Sequence, residues 1–142
     1  NKVRRKEIMK TYQPKAGEIE RKWHELDAST DSLGRIATQA ATLLMGKNKG
    51  NYSPHMDSGD FVVIINAGKL IVTGKKADQK VYRSHSGYPG GFKEVKFKTL
   101  QEKNPGEIIR KAISGMLPDN RLKDNRLARL RVIEGEKHNF IK

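Results

Sequence analysis

Phe61-Val62-Val63-Ile64-Ile65 is the stretch that decides the fold. It is apolar without interruption and rich in β-branched side chains, rather than alternating. A strand buried on both faces reads this way, and that implies helices above and below a sheet. Downstream, Leu70-Ile71-Val72 is a second strand candidate, and Val81 to Arg83 a shorter third. Upstream, Leu33, Ile36, Ala37, Ala40, Leu43 and Leu44 recur at helical spacing. Asp31 or Ser32 is placed to cap that helix, and its alanines permit close approach to a sheet. Gly46 is its natural stop, with Lys47 and Lys49 following where cations favour a helix end.

Further out, Trp23 to Leu26 reads as a first strand. Asn104 caps a helix opened by Pro105, whose ring suits the first turn. Ile108, Ile109, Ala112, Ile113, Met116 and Leu117 form its apolar face, and Pro118 ends it. Leu122, Leu127 and Leu130 suggest another short helix, and Val132-Ile133 a strand that closes the sheet. Helices interleaved with strands in one small domain give an α/β sandwich. Residues 1–20 read as a basic extended arm, since Pro14 and Gly17 oppose regular structure. Residues 21–135 form the domain, and 136–142 a tail.

The charge is lopsided: 29 Lys and Arg against 16 Asp and Glu, a formal net charge of +13. A polyanion such as a phosphate backbone is the partner such a field favours. The excess lies toward the two ends. The first 24 residues hold eight basic and three acidic side chains, and residues 93–142 hold thirteen and seven, so the ends are the candidate binding parts. The chain has no cysteine, which excludes disulfides, thiolate metal sites and thiol catalysis. Its longest apolar run is too short to span a bilayer, and the basic N-terminus lacks the apolar stretch of a secretory signal.

Gly68 to Lys76 has the residue types of a nucleotide phosphate loop. Its glycines are one residue too far apart, however, and Lys76 stands where a magnesium-binding Ser or Thr belongs. A basic turn at Gly74-Lys75-Lys76 touching phosphates fits better. His24, His55, His85 and His138 show no metal-ligand spacing. His24 reads as a partly buried residue beside Trp23. Asp57-Ser58-Gly59-Asp60 reads as a turn before the strand, with Asp60 placed to orient a nearby arginine. Ser32, Ser84 and Ser86 sit in no nucleophile elbow. Neither a cofactor nor a metal is expected.

The richest segment runs Arg83-Ser84-His85-Ser86-Gly87-Tyr88-Pro89-Gly90-Gly91-Phe92-Lys93. Its glycines allow close backbone approach to a ligand, and its rings offer stacking surfaces. The alternative is a tight connector whose rings belong to the core. Both hold together if Phe92 anchors the loop and Tyr88 presents it. No helix-turn-helix, zinc-finger or ribonucleoprotein signature accompanies it, so composition alone does not separate RNA from DNA.

Four stretches carry a family resemblance. They are Trp23 to Ala28 with Leu33-Gly34-Arg35-Ile36-Ala37; His55 to Ala67; Thr73-Gly74-Lys75-Lys76 leading to Tyr82–Lys93; and Gly115-Met116-Leu117-Pro118 with Asn120-Arg121-Leu122. Together they resemble the large-subunit ribosomal protein L-thirteen family of bacterial type, over roughly residues 10–138. The resemblance implies a structural, non-enzymatic protein that binds large-subunit rRNA and supports early subunit assembly. It further implies one copy per large subunit, neighbouring ribosomal proteins as partners, no membrane association and no homo-oligomer. The implied location is the cytoplasmic ribosome of a bacterium in preference to an organelle. The implied fold is a three-layer α/β/α sandwich around a mainly parallel four-stranded sheet, with basic N- and C-terminal extensions. The implied rRNA-facing residues are Arg35, Lys47, Lys49, Thr73, Gly74, Lys75, Lys76, Tyr82, Arg83, Ser84, His85, Ser86, Gly87, Tyr88, Gly90, Gly91, Lys93 and Arg121.

Three departures stand out. Lys123-Asp124-Asn125-Arg126 replaces the family's usual Gly-Arg-Ala-Met, and His138-Asn139-Phe140 replaces its His-Pro-His. The first nine residues extend beyond the usual start. Two other classes compete with the ribosomal reading: a regulatory RNA-binding module, which would be found off the ribosome, and a nucleic-acid enzyme, which would need clustered acids or histidines. A DNA-binding protein would require equal or stronger binding to duplex DNA.

Overall fold

A computed structural model describes residues 12–140. The first eleven residues of the expected arm and the last two of the tail lie outside the described residues. Five strands and five helices follow one another. These are β1 (Trp23–Asp27), α1 (Leu33–Met45), β2 (Phe61–Ile65), α2 (Lys76–Gln79), β3 (Val81–His85), β4 (Phe92–Lys96), α3 (Phe97–Lys103), α4 (Pro105–Met116), α5 (Lys123–Ala128) and β5 (Leu130–Val132).

The apolar run is the middle strand of a parallel sheet in the order β1-β2-β5. Trp23 pairs with Phe61 and Asp27 with Ile65, while Val62 pairs with Leu130. The central position explains why the run does not alternate: Val62, Val63, Ile64 and Ile65 are all buried. Val62 and Ile64 join Leu130 in the main core, packed with Ile36, Ala37, Ala40 and Leu44 of α1 and Ile108, Ile109 and Ile113 of α4. Each such large aliphatic side chain contributes about 1.5–3 kcal/mol by leaving water.

The helix signals act as the sequence implies. Asn104 Oδ1 accepts the Glu107 backbone N–H at 3.1 Å, with Pro105 in the first turn of α4. Gly46 ends α1 with φ 79°, donating to the carbonyls of Thr42 and Leu43. A Cβ there would lie 2.8 Å from the Ser58 carbonyl oxygen, so only glycine fits both the turn and the contact. Ser32 occupies the cap position of α1, but its side chain makes no capping bond.

The sheet is parallel, as the resemblance implies. Among the described residues it has three strands, and Leu70-Ile71-Val72 supplies only a single parallel bridge, Ile71 to Ser32. Asn66 turns left-handed (φ 57°) directly after β2 and starts a 3-10 turn over Ala67–Lys69, which takes the chain out of the ladder. Val81 to Arg83 is a strand, but it pairs antiparallel with β4 in a separate hairpin. Leu130 belongs to β5, not to the helix before it.

α1 and α4 share one face of the sheet, against Val62 and Ile64. Strands added in one direction, β1 to β2 to β5, by right-handed crossovers carry their connecting helices to the same face. α1 and α4 accordingly pack against each other. The opposite face bears Trp23, Glu25, Phe61 and Val63, by the two-residue period of a strand. Trp23 stacks on Phe61 (centroids 4.5 Å apart) and on Phe140 (5.9 Å), and the His138 ring bonds Glu25 at 2.8 Å. The divergent segment His138-Asn139-Phe140 therefore packs onto the sheet.

Candidate nucleic-acid interface

The Arg83–Lys93 segment folds as a hairpin, with Arg83 opposite Glu94, Ser84 opposite Lys93 and His85 opposite Phe92. Gly87 (φ 86°) and Gly90 (φ 74°) provide the left-handed turns at its tip. A Cβ on Gly91 would lie 2.9 Å from the Tyr88 backbone carbonyl oxygen, so a larger residue there would have to shift the turn. The Gly87 N–H donates to His85 Nδ1 at 2.9 Å, which leaves the ring's proton on Nε2. Tyr88 is 76% exposed and Phe92 57% exposed. The rings at the tip are therefore not core, and Phe92 does not anchor the loop.

Anchoring falls instead to Tyr82 at the hairpin's base. Its ring lies 6.3 Å from that of Phe97, with Lys80 Nζ at 5.2 Å and Lys111 Nζ at 5.0 Å from its centre. Burial pushes its phenol above the ordinary value, and the charge of Glu107 adds to this. Tyr82 is thus half-buried and packs at the hairpin's base. Arg83 leans on Glu94, 3.3 Å away, while Ser84, Ser86 and Lys93 are exposed.

A second group gathers beyond the carboxyl ends of β1 and β2. Thr73, Gly74 (φ 69°), Lys75 and Lys76 form an exposed turn that starts α2. Thr73 and Lys76 line the same crevice as Ser32 and Gly34 at the start of α1, and Arg35 follows with its side chain 79% exposed. Met116, at the end of α4, closes the crevice, and the exposed Arg121 follows it in the chain. Lys47 and Lys49 are not part of this group. They lie past the far end of α1, about 20 Å away at 1.5 Å per helical residue. Lys47 is exposed there.

Lys49 has a different role altogether. Its ammonium meets Asp60 Oδ1 at 2.5 Å and the carbonyls of Glu20 and Ser58 at 2.6 and 2.9 Å. Three acceptors occupy its three N–H donors, so it is an internal cation. Asp60 also takes the Lys22 backbone N–H at 3.0 Å and the His24 ring at 2.9 Å. Burial pushes the Asp60 carboxyl upward. The bonds from Lys49, Lys22 and His24 outweigh this and hold it below its ordinary value of 3.8. Its stabilising contribution is complete above that value and is lost as pH falls through the lowered one. Asp27 is likewise held low, by the Ser29 backbone and side chain and by Asn66. The urea midpoint is therefore expected to fall as pH drops below about 4, and Asp60→Asn to make that fall shallower. An unchanged acid profile in Asp60→Asn would contradict this role.

The arginine partner foreseen for Asp60 belongs to Asp57. Arg129 grips both Asp57 carboxylate oxygens, and its Nη2 also donates to the Leu44 carbonyl at 3.1 Å. Arg129 Nε donates to the Asp60 backbone carbonyl at 3.3 Å. Arg126, 1% exposed, stands with Nε 3.7 Å from Asp57 Oδ1, and none of its three guanidinium nitrogens has a hydrogen-bond partner among the described residues. The sequence offers little sign of this, because the partners are far apart and each looks like an ordinary surface charge.

Among the described residues, no His, Asp and Glu side chains cluster so as to hold a metal ion, and no helix is long and apolar enough to cross a membrane. The fold and surface define a basic α/β protein with exposed cations and aromatic rings on a hairpin and further exposed cations at the sheet's carboxyl end. The model of the family described as "Ribosomal protein L13" matches residues 21–139. The chain is similar to proteins named "Large ribosomal subunit protein uL13". That of Clostridioides difficile is 49% identical, covering 92% of this chain and 91% of the relative. That of Rubrobacter xylanophilus is 51% identical over the same shares, and that of Salinispora arenicola 53% identical, covering 92% and 88%. The chain belongs to the ribosomal protein L13 family, whose members are structural components of the ribosome and not enzymes.

Proposed function

We propose that the chain binds large-subunit rRNA as a structural constituent of a bacterial cytoplasmic ribosome, supports early subunit assembly, and is present at one copy per particle beside other ribosomal proteins. The observation that carries the RNA part is the hairpin tip. It holds exposed Tyr88 and Phe92 beside Ser84, His85, Ser86 and Lys93 on a chain of net charge +13. Rings of this kind accept unpaired bases, and cations and hydroxyls accept phosphates and 2′-hydroxyls. Lys93, Arg83, Arg35, Lys75, Lys76, Lys47 and Arg121 would supply phosphate contacts, with Thr73 and Gly74 offering the polar groups of their turn. Gly87, Gly90 and Gly91 keep the tip thin enough for RNA to approach its backbone. Tyr82 and Lys49 support the surface from inside. The four-stranded, three-layer form remains part of the proposal. Ile71, bridged to Ser32, marks where further pairing would extend the sheet, and the Trp23–Phe61 face is where a third layer would sit.

Backbone neutralisation makes binding strongly salt-dependent. With about seven phosphate contacts, the logarithm of the rRNA association constant should fall with the logarithm of salt at a slope of roughly −5 to −6. A slope near zero, or tighter binding to duplex DNA than to rRNA, would contradict the proposal.

A further inference from the structure

The crevice at the carboxyl end of the sheet has features that phosphate contacts leave unexplained. It encloses about 580 Å³, within the range of small-ligand sites, roughly 300–1,000 Å³. Its walls are apolar: Leu33, Val72, Ala112 and Met116, with Phe97 at the floor. Met116 is 42% exposed and lines the same cavity. The polar groups are Ser32, Thr73, Gln79, Lys76 and Lys80, and no carboxylate lines the cavity. Gly34 opens the wall, since a Cβ there meets nothing within 4 Å.

We infer that this crevice receives one unstacked nucleotide of the bound RNA, its base between the apolar walls and its phosphate beside Lys76 and Lys80. The inference rests on the RNA-binding reading. The charge selects an anion, the walls select a flat apolar body, and the amide and hydroxyl groups suit a base edge. A nucleotide in a single-stranded or bulged segment combines all three. The crevice also adjoins the Thr73–Lys76 turn, so a strand held there is within reach of the cavity.

The test is equilibrium binding of the full chain to transcribed large-subunit rRNA, with Gly34→Leu as the plug. Leucine is a good helix former, and a Cβ at Gly34 meets nothing within 4 Å. Affinity is expected to fall about 5- to 150-fold, the span of one base stack, with the salt slope unchanged because no cation is removed. Met116→Ser, which strips the rim, should weaken binding in the same direction. Melting temperatures of both variants report that they are folded. If both bind within twofold of the parent, the crevice is empty in the complex and the inference fails. If adenosine monophosphate alone binds the parent at micromolar concentration and Gly34→Leu abolishes this without affecting rRNA, the site serves a free nucleotide and the inference fails too. A parent that does not bind rRNA overturns the RNA reading itself, and the crevice assignment with it.

Discussion

Arg35→Glu combined with Lys75→Glu and Lys93→Glu is expected to give a folded protein that is depleted from large subunits. All three side chains are exposed, and none belongs to the packed core. Arg35 has only a loose pairing with Asp31, 3.9 Å away, and a glutamate in the first turn of α1 suits the positive end of that helix. Stability should therefore stay within about 1 kcal/mol of the parent. Binding should not. Each lost phosphate contact lowers the salt slope by about one, so the triple variant should lose about three. At near-physiological salt this corresponds to a loss of at least roughly a hundredfold in rRNA affinity. Unchanged affinity would move the RNA surface elsewhere. The Trp23–Phe140 face would then be the place to look.

The largest expected loss of stability lies at the other end of α1. Asp57→Ala would leave the guanidiniums of Arg126 and Arg129 buried without their shared carboxylate. Breaking a buried ion pair by removing one partner costs about 3–5 kcal/mol, because the remaining charge has no compensation. For a domain of this size the melting temperature should fall by roughly 10–20 °C. Arg126→Met separates the terms. Arg126 has no hydrogen bond to lose, so an apolar side chain of similar length should be neutral or stabilising. If Asp57→Ala costs less than about 1 kcal/mol, or Arg126→Met costs as much as Asp57→Ala, the assignment of roles in this cluster is wrong.

The parts of the fold that were legible in the sequence are those with local causes. The β2 run carries its own burial signal. α1 and α4 show helical spacing, with Gly46, Asn104 and Pro105 at their ends acting through neighbours in the chain. The hairpin was hidden because β4 is exposed along its whole length and so has no apolar alternation to read. α3 was missed because only Phe97 and Leu100 of its seven residues are buried. The packing of α1 against α4 follows from the direction in which strands join the sheet, which no composition records.

The candidate surface divides in the same way. Exposed rings and cations in the Arg83–Lys93 tip could be picked out from residue type and glycine spacing. Lys49 looked no different from Lys47, and only the approach of Asp60 shows that it turns inward. Tyr82 and Tyr88 sit in one short segment, yet one packs on Phe97 and the other is exposed. The Asp57–Arg129 pair spans 72 positions and left no local trace.

The most direct test of the central claim is the number of copies retained per large subunit after a high-salt wash of ribosomes from the source cells. Near one copy per particle for the parent chain is the predicted result, with the Arg35, Lys75 and Lys93 triple variant depleted from the same particles. Loss of the parent in the wash, with the protein recovered mainly on free RNA, would contradict a structural ribosomal role.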